Sequence, residues 1–249
     1  MKKISAYLVL IFFVGLISCS EKTDTTTETC NGNCNIFKGR IYREDNVGLA
    51  DVEVQLKYEF SGIGVNVSRK IAKAKTDASG NFQIEAFIKD TEFQAGMFFI
   101  SAEEAKIEST IPNGFFKLSD LNSQSGIEEN YYIIPNLINR NQITTIDYAI
   151  PKKFNLEVTL NNYIPLSSFD YFRIVNTIKY GWQSEFNRFN VKVNNQSFGF
   201  ANSLTTLINL PVTNGVNNLK INKNTNNIQT EANQNIAISN SNQQLSITY

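Results

Sequence analysis

The chain has 249 residues, of which 18% are charged and 42% hydrophobic, and its 23 basic side chains are balanced by 23 acidic ones. This length allows one or two domains with a substantial hydrophobic core, and a net charge near zero argues against nucleic acid as the partner, because phosphate binding needs a basic surface. The absence of histidine excludes imidazole catalysis, His-ligated metal sites and a histidine pH switch.

The N-terminus has the pattern of a bacterial lipoprotein signal peptide. Residues 1–3 (M-K-K) are positively charged, and residues 4–17 form an almost uninterrupted apolar run of 14 residues. A permanent spanning helix needs about 20, so we predict that residues 1–18 are removed. Residues 16–19 (L-I-S-C) resemble a lipobox, which implies that Cys19 is lipidated and becomes the new N-terminus. An ordinary secretory signal that happens to contain a cysteine is the alternative.

Residues 19–35 are predicted to be a flexible tether behind this anchor. The stretch 20–29 is polar and rich in threonine, with no large apolar residue to bury. Lipid chains on Cys19 would attach the protein to a membrane without a spanning segment. The predicted location is therefore the cell envelope, lipid-anchored at the outer membrane, and the choice between its surface and its periplasmic face stays open.

Two further cysteines, Cys30 and Cys34, bracket the turn-forming residues 31–33 (N-G-N). In an oxidising envelope compartment they can close a small loop where the tether meets the first strand. Metal or redox chemistry is the alternative, but no further Cys or His completes a zinc site and the spacing is not C-x-x-C. We predict a structural disulfide and no metal site.

Beyond the tether, the hydrophobic pattern has a period of two. Residues 51–57 place Val52, Val54 and Leu56 on one face, and residues 81–86 repeat the alternation. Several short strands separated by polar turns are typical of a sandwich. Further strands are predicted at 36–42, 65–75, 96–101, 131–134 and 144–150, with short peripheral helical turns at 101–106 or 117–122.

Three segments carry a resemblance to a known family. Residues 38–41 (K-G-R-I), 48–54 (G-L-A-D-V-E-V) and 75–82 (K-T-D-A-S-G-N-F) are similar in order and spacing to the carboxypeptidase-regulatory-like module, a transthyretin-type β-sandwich. The match is close over residues 36–90 and looser up to 150. The resemblance implies an accessory domain without catalysis, used for folding, spacing or binding.

The last of these segments contains oxygen-bearing side chains at alternate positions. Asp77, Ser79 and Asn81 are spaced like ligands of a cation, but a calcium loop requires more acidic groups. A hairpin explains the same residues, with Asp77 capping the turn and Gly80 supplying a positive φ. We predict the hairpin.

Catalysis has little support in the sequence. The acidic pairs at residues 103–104 and 128–129 could serve acid–base chemistry, but adjacent carboxylates on a strand face opposite ways and loop pairs are usually solvated. A hydrolase that shares the transthyretin-type sandwich requires histidine, which this chain lacks. We therefore predict that the protein is not an enzyme and that it uses no cofactor.

A second domain is predicted at residues 151–249. Residues 19–150 carry 13 basic and 19 acidic side chains, whereas 151–249 carry 8 and 4, and this change in composition favours a boundary near 150. The asparagine-rich segment 222–235 is interpreted as an interruption between strands, because asparagine suits loops and strand ends more than helices. No family motif is recognised here. Strands are predicted at 154–160, 171–178, 189–193, 203–210, 218–221, 236–239 and 245–249.

Aromatic residues concentrate between positions 169 and 189, including the single tryptophan. Exposed rings beside amide side chains are a common way for β-sandwiches to bind sugars. The phenylalanines fit core faces of strands, whereas Tyr180 and Trp182 lie at a turn where amphipathic rings often stay partly exposed. Tyr180 and Trp182 are therefore the candidate ligand-binding residues, and core packing is the alternative.

The sequence thus predicts an all-β chain: two consecutive β-sandwich domains, at 36–150 and 151–249, after a signal peptide and a flexible tether. Its predicted function is that of a non-catalytic binding or adhesion module, anchored through Cys19, for a glycan or a protein of the envelope. The alternative is a structural or accessory subunit of an envelope assembly.

Overall fold

The computed structural model describes residues 20–24, 28–121, 131–135, 137–183, 196–203 and 206–248. Over these residues the chain is β almost throughout, with one short α-helix and two 3₁₀ turns, so the all-β prediction is confirmed. No helix in these ranges is long and apolar enough to span a membrane.

The elements up to residue 150 are short strands connected by turns, as the period-two pattern predicts. Three predicted ranges, 65–75, 81–86 and 131–134, are reproduced without change. The strands are β1 (Ser20–Asp24), β2 (Asn35–Arg43), β3 (Glu53–Gly62), β4 (Val65–Lys75), β5 (Asn81–Ala86), β6 (Met97–Ala102), β7 (Tyr131–Ile134), β8 (Ile143–Thr145) and β9 (Asp147–Ile150), with helix α1 (Glu104–Thr110) and 3₁₀ turns at Asp90–Phe93 and Leu118–Asp120.

The remaining elements are strands too. Their alternating burial in β10, β13 and β14 reflects sheets with one face in a core. The strands are β10 (Phe154–Asn161), β11 (Tyr171–Thr177), β12 (Gly181–Gln183), β13 (Gln196–Ala201), β14 (Leu207–Val212), β15 (Gly215–Thr225), β16 (Ile228–Ile238) and β17 (Gln243–Thr248).

Two sheets enclose a first hydrophobic core. One has the order β1-β4-β3-β6-β7, and the other β12-β9-β2-β5 with β8 also beside β2. Val54 and Leu56 of β3 and Phe37 and Ile84 of the second sheet are fully or almost fully buried in the same cluster. The predicted sandwich architecture of this half is therefore present.

Strand β1 lies within the predicted flexible tether, and that prediction is wrong for residues 20–24. They pair in parallel with β4, from Ser20 opposite Val65 to Asp24 opposite Arg69. The sequence of these residues has no apolar alternation that would reveal a strand. The pairing comes instead from the backbone of β4, which without β1 would be the unpaired edge of the sheet.

The hairpin predicted from the family resemblance is present. The Asp77 carboxylate accepts hydrogen bonds from the backbone N–H groups of Ser79 and Asn81, both at 2.8 Å. Gly80 has φ +82°, and a Cβ on Gly48 would overlap the carbonyl oxygen of Ser79. Both glycines are therefore required by the backbone, one for its conformation and the other for a close approach.

Strands β14-β10-β17 and β13-β11-β15-β16 form two further sheets around a second hydrophobic core. The predicted boundary near residue 150 separates most members of the two cores. The exception is the stretch 178–183, because Ile178, Tyr180 and Trp182 pack into the first core and β12 pairs with β9. Local periodicity gives no sign of this return to the first half.

The asparagine-rich segment 222–235, which we expected to interrupt the strands, instead continues them. Most of it belongs to the long hairpin of β15 and β16, which pair from Gly215 and Ile238 to Thr225 and Ile228. The turn is Asn226-Asn227, with φ of +52° and +64°. Asparagine tolerates this left-handed conformation, which two-residue hairpins favour. The predicted strand at 189–193 lies outside the described residues.

Candidate functional site

The cysteines selected from the sequence fall in different parts of the chain. Cys19 lies outside the described residues, so its lipidation stays a prediction. Cys30 and Cys34 form a disulfide with their Cα atoms 5.8 Å apart, directly before β2. The loop between them turns through Gly32 and Asn33, which have φ of +79° and +50°.

Tyr180 and Trp182 are core residues, and the expectation that they remain partly exposed is wrong. Tyr180 is 0% exposed and Trp182 is 2% exposed. Trp182 lies opposite Tyr148 in the pairing of β12 with β9, and its ring meets those of Tyr148 and Phe82 edge-on, with centroids 5.1 and 6.1 Å away. The turn suggested by Gly181 is in fact a short strand that closes the first sandwich.

A buried polar network accompanies these rings. Glu104, the first residue of α1, accepts hydrogen bonds from the hydroxyl groups of Tyr148 at 2.5 Å and Tyr180 at 3.3 Å. All three side chains are buried, Glu104 at 8% exposure. The sequence suggested a peripheral helical turn. The helix is not peripheral, because its residues Glu104 and Ile107 are buried in the core.

The protonation of this network favours a structural role. Burial, with the nearby Glu104 carboxylate as a further cause, raises the pKa of the phenols of Tyr148 and Tyr180 well above the ordinary value of 10. Both phenols therefore stay neutral and act as donors at physiological pH. The Glu104 carboxylate, which is 8% exposed, thus has both of its oxygens hydrogen-bonded to phenols of the core. The acidic pair at residues 128–129 lies outside the described residues.

Sequence reasoning missed the role of Tyr148. The alternation in β9 does place Tyr148 and Ile150 on its inner face, since both are 0% exposed. That pattern could have identified a buried hydroxyl in need of an acceptor. It could not have identified Glu104 as that acceptor, because the two residues are far apart in the chain.

The surface of the first sandwich has two shallow depressions to consider as sites. One, of about 300 Å³, lies beside Glu53, Gln55, Ser101, Glu103 and Glu104. The Glu53 carboxylate forms a salt bridge with the Lys73 ammonium group, with 2.7 Å between Oε2 and Nζ. Within the ranges that the structure describes, no three His, Cys, Asp or Glu side chains come together as metal ligands do.

The other depression, of about 470 Å³, lies beside the 77–81 hairpin and is lined by side chains of both charges, among them Lys38, Arg40, Lys75 and Asp147. The Asp77 carboxylate at its edge already accepts hydrogen bonds from the backbone of the hairpin. Hydrogen bonds from Asn81 lower the pKa of Asp77, with Ser79 adding to the effect, so this group is a charged turn cap.

The edge strand β16 (Ile228–Ile238) has a long run of exposed residues. It pairs with β15 on one side, and on the other side no strand pairs with it among the described residues. Every residue from 228 to 235 is exposed, so neither face of this stretch is covered. Its sequence, I-Q-T-E-A-N-Q-N-I-A-I, has one charged residue and no proline, lysine or glycine.

No family model and no curated protein sequence matches the chain. Among solved structures it is similar to the Bacillus anthracis TIE protein (TM-score 0.28, 14% identity, 87% of this chain and 33% of that one). It is also similar to transthyretin from Sparus aurata (TM-score 0.27, 16% identity, 45% and 84%) and to a streptococcal ancillary pilin (TM-score 0.30, 9% identity, 88% and 63%). The chain thus spans about a third of the length of the TIE protein. All three similarities lie below 25% identity and below a TM-score of 0.5.

Proposed function

We propose that this chain is a lipid-anchored envelope protein that works as a non-catalytic structural or accessory subunit and binds another protein through the β16 edge. The observation that carries the proposal is the exposed strand itself. Of the two functions considered from the sequence, glycan binding relied on Tyr180 and Trp182, and both are buried. Protein binding through an edge strand needs neither residue.

An exposed edge strand is a template for another strand. Its outward N–H and C=O groups pair with an incoming chain, and proteins normally block such edges with lysine, proline, bulges or a covering loop. The pairing of β15 with β16 has no register shift over its 11 residues. The one acidic side chain, Glu231, is already paired with Lys220 at 2.8 Å. None of the usual blocking features is therefore present in the sequence or pairing of β16.

The polar composition of β16 suits a strand that stays soluble until a partner strand pairs with it. Amide and threonine side chains keep the free strand soluble, while a partner strand would gain backbone hydrogen bonds and cross-strand amide contacts. Two other features support the wider proposal. The lipobox-like residues 16–19 support anchoring, and the 77–81 hairpin with Gly48 supports a carboxypeptidase-regulatory-like first domain, a module class that is generally accessory.

Proline substitutions at Ala232 and Asn233 test the β16 edge. Successive residues of an edge strand point their N–H groups alternately inward, toward β15, and outward. One substitution removes a β15 hydrogen bond, while the other removes only an outward N–H, which edge strands tolerate. The variant with the smaller loss of melting temperature identifies the outward position. We expect that variant to lower the amount of partner complex by about tenfold or more. The measurement is cross-linking of the full-length protein in intact cells, followed by quantification of the complex.

The two proline variants control for each other because they differ by one position and by the direction of one N–H group. Asn218→Lys on β15 is a further control, since it adds charge to an exposed position of a strand that is paired on both sides. If the better-folded proline variant retains the complex in full, the β16 edge is not the contact surface.

Anchoring is tested by labelling cells with a fatty-acid analogue. We expect the wild-type protein to incorporate the label and Cys19→Ser to incorporate none, because the cysteine sulfur is the attachment atom. Cys30→Ser/Cys34→Ser is the matched control and should keep the label. Equal labelling of the wild type and Cys19→Ser would contradict the proposed anchor. Protease shaving of intact cells then shows on which side of the membrane the domains lie.

A further inference from the structure

One end of the second sandwich displays four large apolar side chains. Ile164, Leu166 and Phe169 lie in the loop between β10 and β11, and Ile228 follows the β15–β16 turn. Their exposed fractions are 61%, 69%, 69% and 68%. The two segments belong to the same end, because Tyr171 pairs with Asn224 at the start of β11. We call these four side chains the apolar tip.

The tip is held in place by a buried carboxylate. Asp170 is 1% exposed and accepts hydrogen bonds from the backbone N–H groups of Leu166 at 2.8 Å and Asn226 at 2.9 Å, and from the hydroxyl of Ser167 at 2.9 Å. Burial alone would raise the pKa of Asp170, but these hydrogen bonds outweigh it and the pKa is lowered. The charged carboxylate therefore joins the loop to the hairpin turn, so the apolar side chains project from an ordered support.

Several backbone groups beside Leu166 and Phe169 have hydrogen-bond partners within the protein. Pro165 has no N–H, and the N–H groups of Leu166 and Ser167 bond to Asp170 while that of Phe169 bonds to the Ser167 hydroxyl. The carbonyl of Phe169 accepts from the Asn224 side chain at 2.8 Å. Hydrocarbon offers no hydrogen bonds, so these internal partners lower the cost of bringing the backbone beside Leu166 and Phe169 close to it.

The charges around the tip are compatible with the surface of a lipid bilayer. Residues 162–169 (N-Y-I-P-L-S-S-F) and 225–228 (T-N-N-I) contain no charged side chain. The charged residues next along β11 and β15 are the cations Arg173 and Lys223, which can face lipid phosphates. The nearby Glu231 is neutralised by Lys220.

We propose that the apolar tip inserts into the surface of a lipid bilayer, giving the protein a membrane contact that is separate from any lipid on Cys19. Leu166 and Phe169 enter the boundary between headgroups and acyl chains, and Ile164 and Ile228 flank them. The proposal does not depend on strand pairing at the β16 edge, because it uses the side chains of the β10–β11 loop and of Ile228, the first residue of β16, and not the outward backbone groups of that strand.

Vesicle co-sedimentation tests the insertion. The probe is the polypeptide from Ser20 to Tyr249, which includes every described residue and lacks the apolar N-terminal run. It is mixed with vesicles of phosphatidylcholine, alone or with phosphatidylglycerol, at low and at high salt. We expect binding that persists at high salt and falls by about tenfold for each side chain removed in Leu166→Ser and Phe169→Ser, since burial of each contributes that much.

Ile138→Ser is the matched control. Ile138 is 64% exposed but lies in the first half of the chain, so this variant should bind as the wild type does. Circular dichroism checks that all variants are folded. Absence of wild-type binding to both vesicle types would overturn the proposal. So would binding that salt abolishes and the tip variants leave unchanged, or a tip-dependent dimer without vesicle binding, which would identify the tip as a protein contact.

Discussion

Replacing Trp182 with alanine should lower the free energy of unfolding by about 3–5 kcal/mol, one of the two largest effects we expect. The ring is 2% exposed, and its removal would leave a cavity between Phe82 and Tyr148. Because the chain has a single tryptophan, the variant loses its intrinsic fluorescence probe. Circular dichroism during urea denaturation is therefore the appropriate measurement.

Phe169→Ala is the matched control for this effect. It also removes a large aromatic side chain, but Phe169 is 69% exposed and the expected change is within about 0.5 kcal/mol. A Trp182→Ala variant as stable as the wild type would contradict the core position of the ring. The contrast matters for function, because a loss of ligand binding in Trp182→Ala would reflect a damaged fold and not a missing sugar contact.

The fold was most predictable where one face of a strand is buried against a core. Strand β5 alternates between exposed and buried along all six residues, and its sequence pattern gives its bounds without error. Strand β16 is exposed on both faces over residues 228–235, so it has no hydrophobic alternation to detect. Its pairing depends on β15 and on two asparagines in the turn. A composition rich in asparagine therefore indicated an interruption between strands where a continuous hairpin exists.

The candidate site was less predictable, because its contacts join distant parts of the chain. The sequence around Trp182 indicated a turn, but this stretch is strand β12, and the burial of Trp182 depends on the pairing of β12 with β9. The burial of Glu104 likewise depends on Tyr148 and Tyr180, which come from two other segments. Local patterns predict which residues can be buried together, and only the tertiary pairing decides which of them are.

The second large effect concerns a buried ion pair at the edge of the first core. Arg69 of β4 donates to both oxygens of Glu92 at 2.6 Å, and the two side chains are only 2% and 6% exposed. Glu92 also accepts from the backbone N–H of Lys89 at 2.9 Å. Glu92→Ala should cost about 3–5 kcal/mol, because the guanidinium is left buried without its partner. Urea denaturation of the variant measures the loss.

A double variant separates the value of the ion pair from the cost of breaking it. Taking two charges out of water is expensive, so Arg69→Met/Glu92→Leu should recover most of the stability that Glu92→Ala loses. The more exposed pair of Lys73 with Glu53, 2.7 Å apart, is the control: Glu53→Ala should change stability by less than about 1 kcal/mol. A double variant as unstable as Glu92→Ala would show that the pair contributes to the fold beyond mutual neutralisation. The hydrogen bonds from Arg69 to the carbonyl of Phe87 and from Lys89 to Glu92 would then be the contacts that position the 3₁₀ turn against β4.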